Sequence, residues 1–110
     1  MATLRIVTLE CVKKQDPGLG KDEVVIKVDG TTLAGPFKMG RNDKVTVNAS
    51  TSFSGSTKVN LTELDSGLNF KDDDLGTVTV KDTVAGLGDQ TTDFHDLTGA
   101  DYHMTFRVDA

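Results

Sequence analysis

Apolar residues recur at every second position along most of this chain. Val24, Ile26 and Val28 alternate with Val25 and Lys27. Val45, Val47, Ala49 and Phe53 share one face, while Thr46, Asn48 and Ser50 occupy the other. Val59 and Leu61 alternate with Lys58, Asn60 and Thr62, and Val78 and Val80 with Thr77 and Thr79. Near the C-terminus Tyr102, Met104, Phe106 and Val108 alternate with His103, Thr105 and Arg107. Side chains on a strand project alternately to its two sides, so each run predicts a strand with one apolar and one polar face. Antiparallel sheets packed on one side have this character. The N-terminal run, from Thr3 to Val12, changes phase between Leu4/Ile6 and Val7/Leu9/Cys11. That predicts a β-bulge or a strand covered on both faces.

Turn-forming segments separate the runs: Asp16-Pro-Gly-Leu-Gly, Asp29-Gly, Gly40-Arg-Asn-Asp, Ser54-Gly-Ser, Asp65-Ser-Gly and Gly86-Leu-Gly-Asp. No stretch carries a sustained helical stripe. The expectation is an all-β fold, an antiparallel sandwich of about seven to eight strands. A length of 110 residues fits a single domain spanning 1–110.

Composition narrows the function classes. The net charge of −5 disfavours bare electrostatic attraction to nucleic acid or anionic lipid, unless bound cations reverse the local sign. Cys11 is the sole cysteine, which excludes an intrachain disulfide and a cysteine-based zinc cluster. The opening Met-Ala-Thr-Leu-Arg-Ile reads as a strand rather than a signal peptide, and no transmembrane segment is present. The expectation is a cytoplasmic protein, one exported without a cleaved signal, or a piece of a longer chain. The sequons at Asn48-Ala-Ser and Asn60-Leu-Thr are accordingly read as unused.

Carboxylates gather in three places, all predicted as loops. Asp16, Asp22 and Glu23 form the first group. Glu63, Asp65, Asp72, Asp73 and Asp74 form the second, and Asp82, Asp89, Asp93 and Asp96 a looser third. No Lys or Arg lies between Lys81 and Arg107. Adjacent carboxylates repel and raise one another's pKa, and a bound cation relieves this. Calcium takes oxygen donors from carboxylates, carbonyls and water, and two loops at one end of a sandwich can supply them. Aspartates also start turns and solvate loops without binding anything. An EF-hand is excluded: counting from Asp65, the third and fifth positions are Gly67 and Asn69, with no glycine at the sixth or glutamate at the twelfth.

Two stretches resemble the C2 family of calcium-dependent docking modules. DPGLGKDEVVIKV, from Asp16 to Val28, resembles its first acidic loop and the strand that follows. VNLTELDSGLNFKDDDLGTVTV, from Val59 to Val80, resembles its strand, second acidic loop and Asp-x-Leu-Gly turn. The ending DYHMTFRVDA resembles the closing strand of small bacterial C2-like domains. The resemblance implies Asp16 and Asp22 as first-loop calcium ligands, with Glu23 beside them. It implies Asp65 with one or more of Asp72, Asp73 and Asp74 in the second loop; if that run is extended, Asp72 and Asp74 share a direction and form the expected ligand pair. Glu23-Val24 stands where the family has Pro-Tyr, and no Lys-rich strand forms a headgroup groove.

The remaining constellations carry little chemistry. His103 falls on the polar face of the last strand and reads as a surface residue. His95 lies in DFHD, read as an acidic loop; histidine between aspartates is a donor type for transition metals. Nothing resembles a nucleophile elbow, and the Gly-x-Gly pairs precede no helix, so no phosphate cradle is expected. Cys11 reads as a core thiol. The expectation is a non-enzymatic calcium-binding module that docks to a protein, lipid or glycan surface. A metal-independent assembly subunit and a small calcium-dependent lectin-like binder are the alternatives.

Overall fold

The computed structural model describes residues 1–13, 21–64, 73–95 and 99–110, the side chain of Asp73 excepted. Eight strands follow one another: β1 (Ala2–Lys13), β2 (Asp22–Val28), β3 (Thr31–Met39), β4 (Lys44–Phe53), β5 (Ser56–Glu63), β6 (Asp73–Lys81), β7 (Gln90–His95) and β8 (Asp101–Asp109). A single 3-10 turn, Asp82–Val84, links β6 to β7, and the described residues include no α-helix. The strands form two antiparallel four-stranded sheets, ordered β4-β1-β8-β7 and β3-β2-β5-β6. The all-β sandwich read from the apolar alternation is therefore present. No helix among the described residues is long and apolar enough to cross a membrane.

The core fills the space between the inner faces. Leu4, Ile6, Leu9 and Cys11 of β1 meet Met104, Phe106 and Val108 of β8, and the other sheet contributes Val24, Ile26, Val59, Leu61 and Leu75. The alternation in β8 is complete: Tyr102, Met104, Phe106 and Val108 are buried, and the residues between them face out. The phase change in β1 is a bulge, with the register slipping between Ile6 and Thr8 against both neighbours. One extra residue, half-buried Val7, lets Leu4/Ile6 and Leu9/Cys11 all point inward.

Two strands carry no legible apolar period, β3 and β7, and both are edges. In β3 the dipeptide Gly35-Pro36 reads as a turn, yet proline suits an edge strand because it leaves no N–H to pair. Gly35 has φ +100, and a β-carbon there would stand 2.6 Å from the Val24 carbonyl oxygen. Only glycine permits that approach between β3 and β2. In β7 the one buried side chain is Phe94, among Thr, Asp and His. The placement of Asp93 and His95 in a loop is thus corrected: both lie in β7, held in register by β8.

The β2–β3 hairpin turns on Asp29 and Gly30, with φ of +50 and +85, the pattern of a two-residue type I′ turn. The Asp29 carboxylate accepts hydrogen bonds from the Lys58 amide (2.9 Å) and the Thr57 hydroxyl (2.7 Å). Those bonds, the amide first, hold its pKa below the ordinary carboxylate value. This hairpin marks the end of the sandwich opposite to the acidic loops.

Because Phe106 packs between the sheets, Phe106→Ala is expected to destabilise by about 3–5 kcal/mol. Thr79→Ala, on the exposed face of β6, should change stability by less than about 0.5 kcal/mol. Urea denaturation of both variants checks the assignment of faces, and a small loss at Phe106 would refute it.

Candidate functional site

Antiparallel topology carries four connections to one end of the sandwich: β1 to β2, β3 to β4, β5 to β6, and β7 to β8. The two acidic segments predicted to act together belong to the first and third of these. Their strand bases are adjacent, since β2 pairs with β5 and β5 with β6. Val24 stands opposite Glu63, Glu63 opposite Asp73, and the Leu64 amide donates to the Glu23 carbonyl at 2.7 Å.

At this mouth Asp22 is 1% exposed. Its carboxylate reaches across to the other sheet, where the Tyr102 hydroxyl donates to Oδ2 at 2.6 Å. Tyr102 is fully buried and also hydrogen-bonds Cys11, its cross-strand partner. Burial chiefly, then the Asp22 hydrogen bond, push the Tyr102 pKa far above the phenol value. Burial raises the Cys11 thiol as well, and the Tyr102 hydrogen bond offsets part of this. Both groups are neutral at physiological pH, which leaves Tyr102 a donor for the Asp22 carboxylate.

Asp74 occupies a different place. Its Oδ1 accepts from the Gly76 amide (2.9 Å) and from Asn60 Nδ2 (2.8 Å). The register slips here, leaving Leu75 unpaired and buried while Asp74 faces solvent beside Asn60. Asp22 and Asp74 therefore lie on opposite faces of one sheet. Asp74 closes a tight turn at the bulge through its Oδ1.

A second polar cluster sits on the outer face of the other sheet, at the same end. Asp93 is opposite His103, and His95 opposite Asp101, so that four ionisable side chains form a two-by-two array. His103 Nε2 is 3.0 Å from Asp93 Oδ1 and 3.6 Å from Asp101 Oδ1. His95 approaches Asp93 through Nε2 and Asp101 through Nδ1, both at 3.6 Å. Asp101 Oδ1 is buried and, among the described residues, accepts no hydrogen bond. Such an acceptor costs about 1–3 kcal/mol when left unsatisfied. An open groove of about 500 Å³ leads from Asp101 and His95 to Lys13 and Arg41.

Solved structures share this architecture. One described as the structure of a C2 domain superposes over 100% of both chains with a TM-score of 0.67, at 16% sequence identity. The fold is that of a C2 domain. A structure of human GIVD cytosolic phospholipase A2, in complex with a fluorophosphonate inhibitor and terbium chloride, matches 98% of this chain. It does so at a TM-score of 0.51 and 13% identity, and the match covers 17% of the phospholipase chain. No protein-family model and no curated protein sequence matches the chain.

Within this C2 fold the sequence-predicted ligands divide. Asp22 and Glu23 stand at the start of β2 and Asp74 at the start of β6, whereas Asp16, Asp65 and Asp72 lie outside the described residues. Glu63, absent from the predicted ligand set, is 8% exposed and shares the mouth with Asp22. Its place on the apolar face of β5, in phase with Val59 and Leu61, was the available signal. The Asp93/Asp101/His103 group carries no local signal because Asp93 lies eight and ten positions from Asp101 and His103 and meets them only through β7–β8 pairing.

The raised pKa values fix a pH dependence. A folded-state pKa above the unfolded value means that the folded protein holds its proton longer. The stability so gained is complete below the unfolded pKa, about 8.5 for Cys and 10 for Tyr, and is lost as pH rises beyond it. Tyr102→Phe should cost about 1–3 kcal/mol at pH 7 by removing a donor to Asp22, and should lose less stability than the parent between about pH 9 and 10.5. Urea midpoints across that range test this; parallel declines would rule out the tyrosine as the source.

Proposed function

We propose that this chain is a calcium-dependent docking module whose acidic end meets its target through bound cation. The observation that carries this reading is that the strands bordering the two acidic segments, β2, β5 and β6, are neighbours in one sheet of a C2 fold. In the proposed cage Asp16, Asp65 and Asp72 supply donors from the loops, while Asp22 and Glu23 at the start of β2 and Asp74 at the start of β6 add negative charge at its border. Clustered carboxylates without a cation repel; calcium neutralises them and orders the segments that carry them. It also gives a chain of net charge −5 a local positive face for an anionic protein, lipid or glycan surface.

This reading supports a non-catalytic role, because the groups at the mouth are oxygen donors and a neutral phenol rather than an activated nucleophile with its base.

Calcium at a hundred times its dissociation constant should stabilise the chelator-treated protein by about 2.7 kcal/mol, a shift of roughly ten degrees or more in melting temperature. Asp65→Asn combined with Asp72→Asn should abolish the shift. Asp74→Asn keeps the Oδ1 acceptor for Gly76 while removing the charge, so it should weaken calcium without unlocking the turn; Asp73→Asn should weaken it less. An unmoved melting curve in millimolar calcium would refute the cation-binding role and leave the fold standing.

A further inference from the structure

We propose that Asp93, Asp101 and His103 form a zinc-class metal site on the outer face of the β7–β8 hairpin, separate from the acidic loops. The donor set is the first reason. One imidazole nitrogen with two carboxylate oxygens suits a borderline divalent metal such as zinc, whereas calcium favours oxygen alone. Spacing is the second. Ligand atoms about 2.0–2.1 Å from a tetrahedral zinc stand roughly 3.3–3.4 Å from one another. His103 Nε2 lies 3.0 Å from Asp93 Oδ1 and 3.6 Å from Asp101 Oδ1, on either side of that value. The three donor atoms lie within 4.8 Å of one another, so an ion can enter with small side-chain rotations and no movement of backbone.

The third reason is independent of spacing. Asp101 Oδ1 is a buried oxygen with no hydrogen bond among the described residues, and it faces the point where the donors converge. A cation there supplies the partner this atom lacks. Strand pairing presets the array, because Asp93 is in register with His103 and Asp101 with His95. His95, whose ring nitrogens lie 3.6 Å from Asp93 Oδ2 and from Asp101 Oδ1, is assigned as a positioning residue that packs beside the ligating carboxylates. The groove running from Asp101 past His95 toward Lys13 and Arg41 leaves a face of the metal open to water or to an anionic group.

The test uses the full, tag-free chain after chelation, titrated with zinc chloride by calorimetry in parallel with calcium chloride. One equivalent of zinc should bind. His103→Gln and Asp101→Asn should each remove that binding, and His95→Gln should weaken it roughly tenfold. Calcium-induced shifts, each measured against the variant's own metal-free melting temperature, should stay at the parental value in all three variants, which separates this site from the loop end. The chain contains two histidines, so their imidazole C–H signals give a direct readout: zinc should shift those of His103 in the parent protein. Absence of zinc binding would overturn the proposal. So would zinc that binds His103→Gln as it binds the parent, or that is displaced by calcium.

Discussion

The hydrogen bond from Tyr102 to Asp22 ties the two sheets together at the end where β2 and β8 begin. The apolar side chains between the facing sheets make contacts that are strong in sum and indifferent to direction. A buried carboxylate is different. It requires a donor at a defined position, so the base of β2 and the start of β8 become fixed relative to each other. The neutral phenol meets this need because burial keeps its proton in place. Cys11 on β1 completes the contact, bringing β1, β2 and β8 into one polar knot inside an otherwise apolar core.

This knot sets the geometry of everything at that end. With Asp22 turned inward and Asp74 turned outward, the first-loop and second-loop carboxylates address two faces of the β3-β2-β5-β6 sheet. On the other sheet the regular register of β7 and β8 does the equivalent work. It lines up Asp93, His95, Asp101 and His103 on a rigid surface, where no loop is needed to gather them. The two places differ chemically in a way that follows from their residues: oxygen donors at the mouth, mixed nitrogen and oxygen donors on the sheet.

Several features were legible in the order of residues alone. Strands with an inward apolar phase were readable because a half-buried strand writes its burial as period two: β2, β4, β5 and β8 show it directly. The bulge in β1 was readable as a change of phase. The edge strands β3 and β7 were not, unlike the edges β4 and β6. In β3 the Gly35-Pro36 pair imitates a turn, and in β7 a single buried Phe94 leaves no period to detect. With one fully buried side chain each, Met39 and Phe94, these two strands leave little alternation to read.

By itself, then, the sequence determined which faces are buried, that the chain folds as an antiparallel sandwich, and that acidic segments punctuate it. These follow from local alternation and turn chemistry, which act between near neighbours. Tertiary structure alone decided what the carboxylates face. Asp22 meets Tyr102 from a strand eighty residues away, Asp74 turns back onto Gly76 and Asn60, and Asp93 meets His103 across a hairpin. Sheet order and register set such meetings, and both depend on the packing of the whole core. No single stretch of chain contains that information.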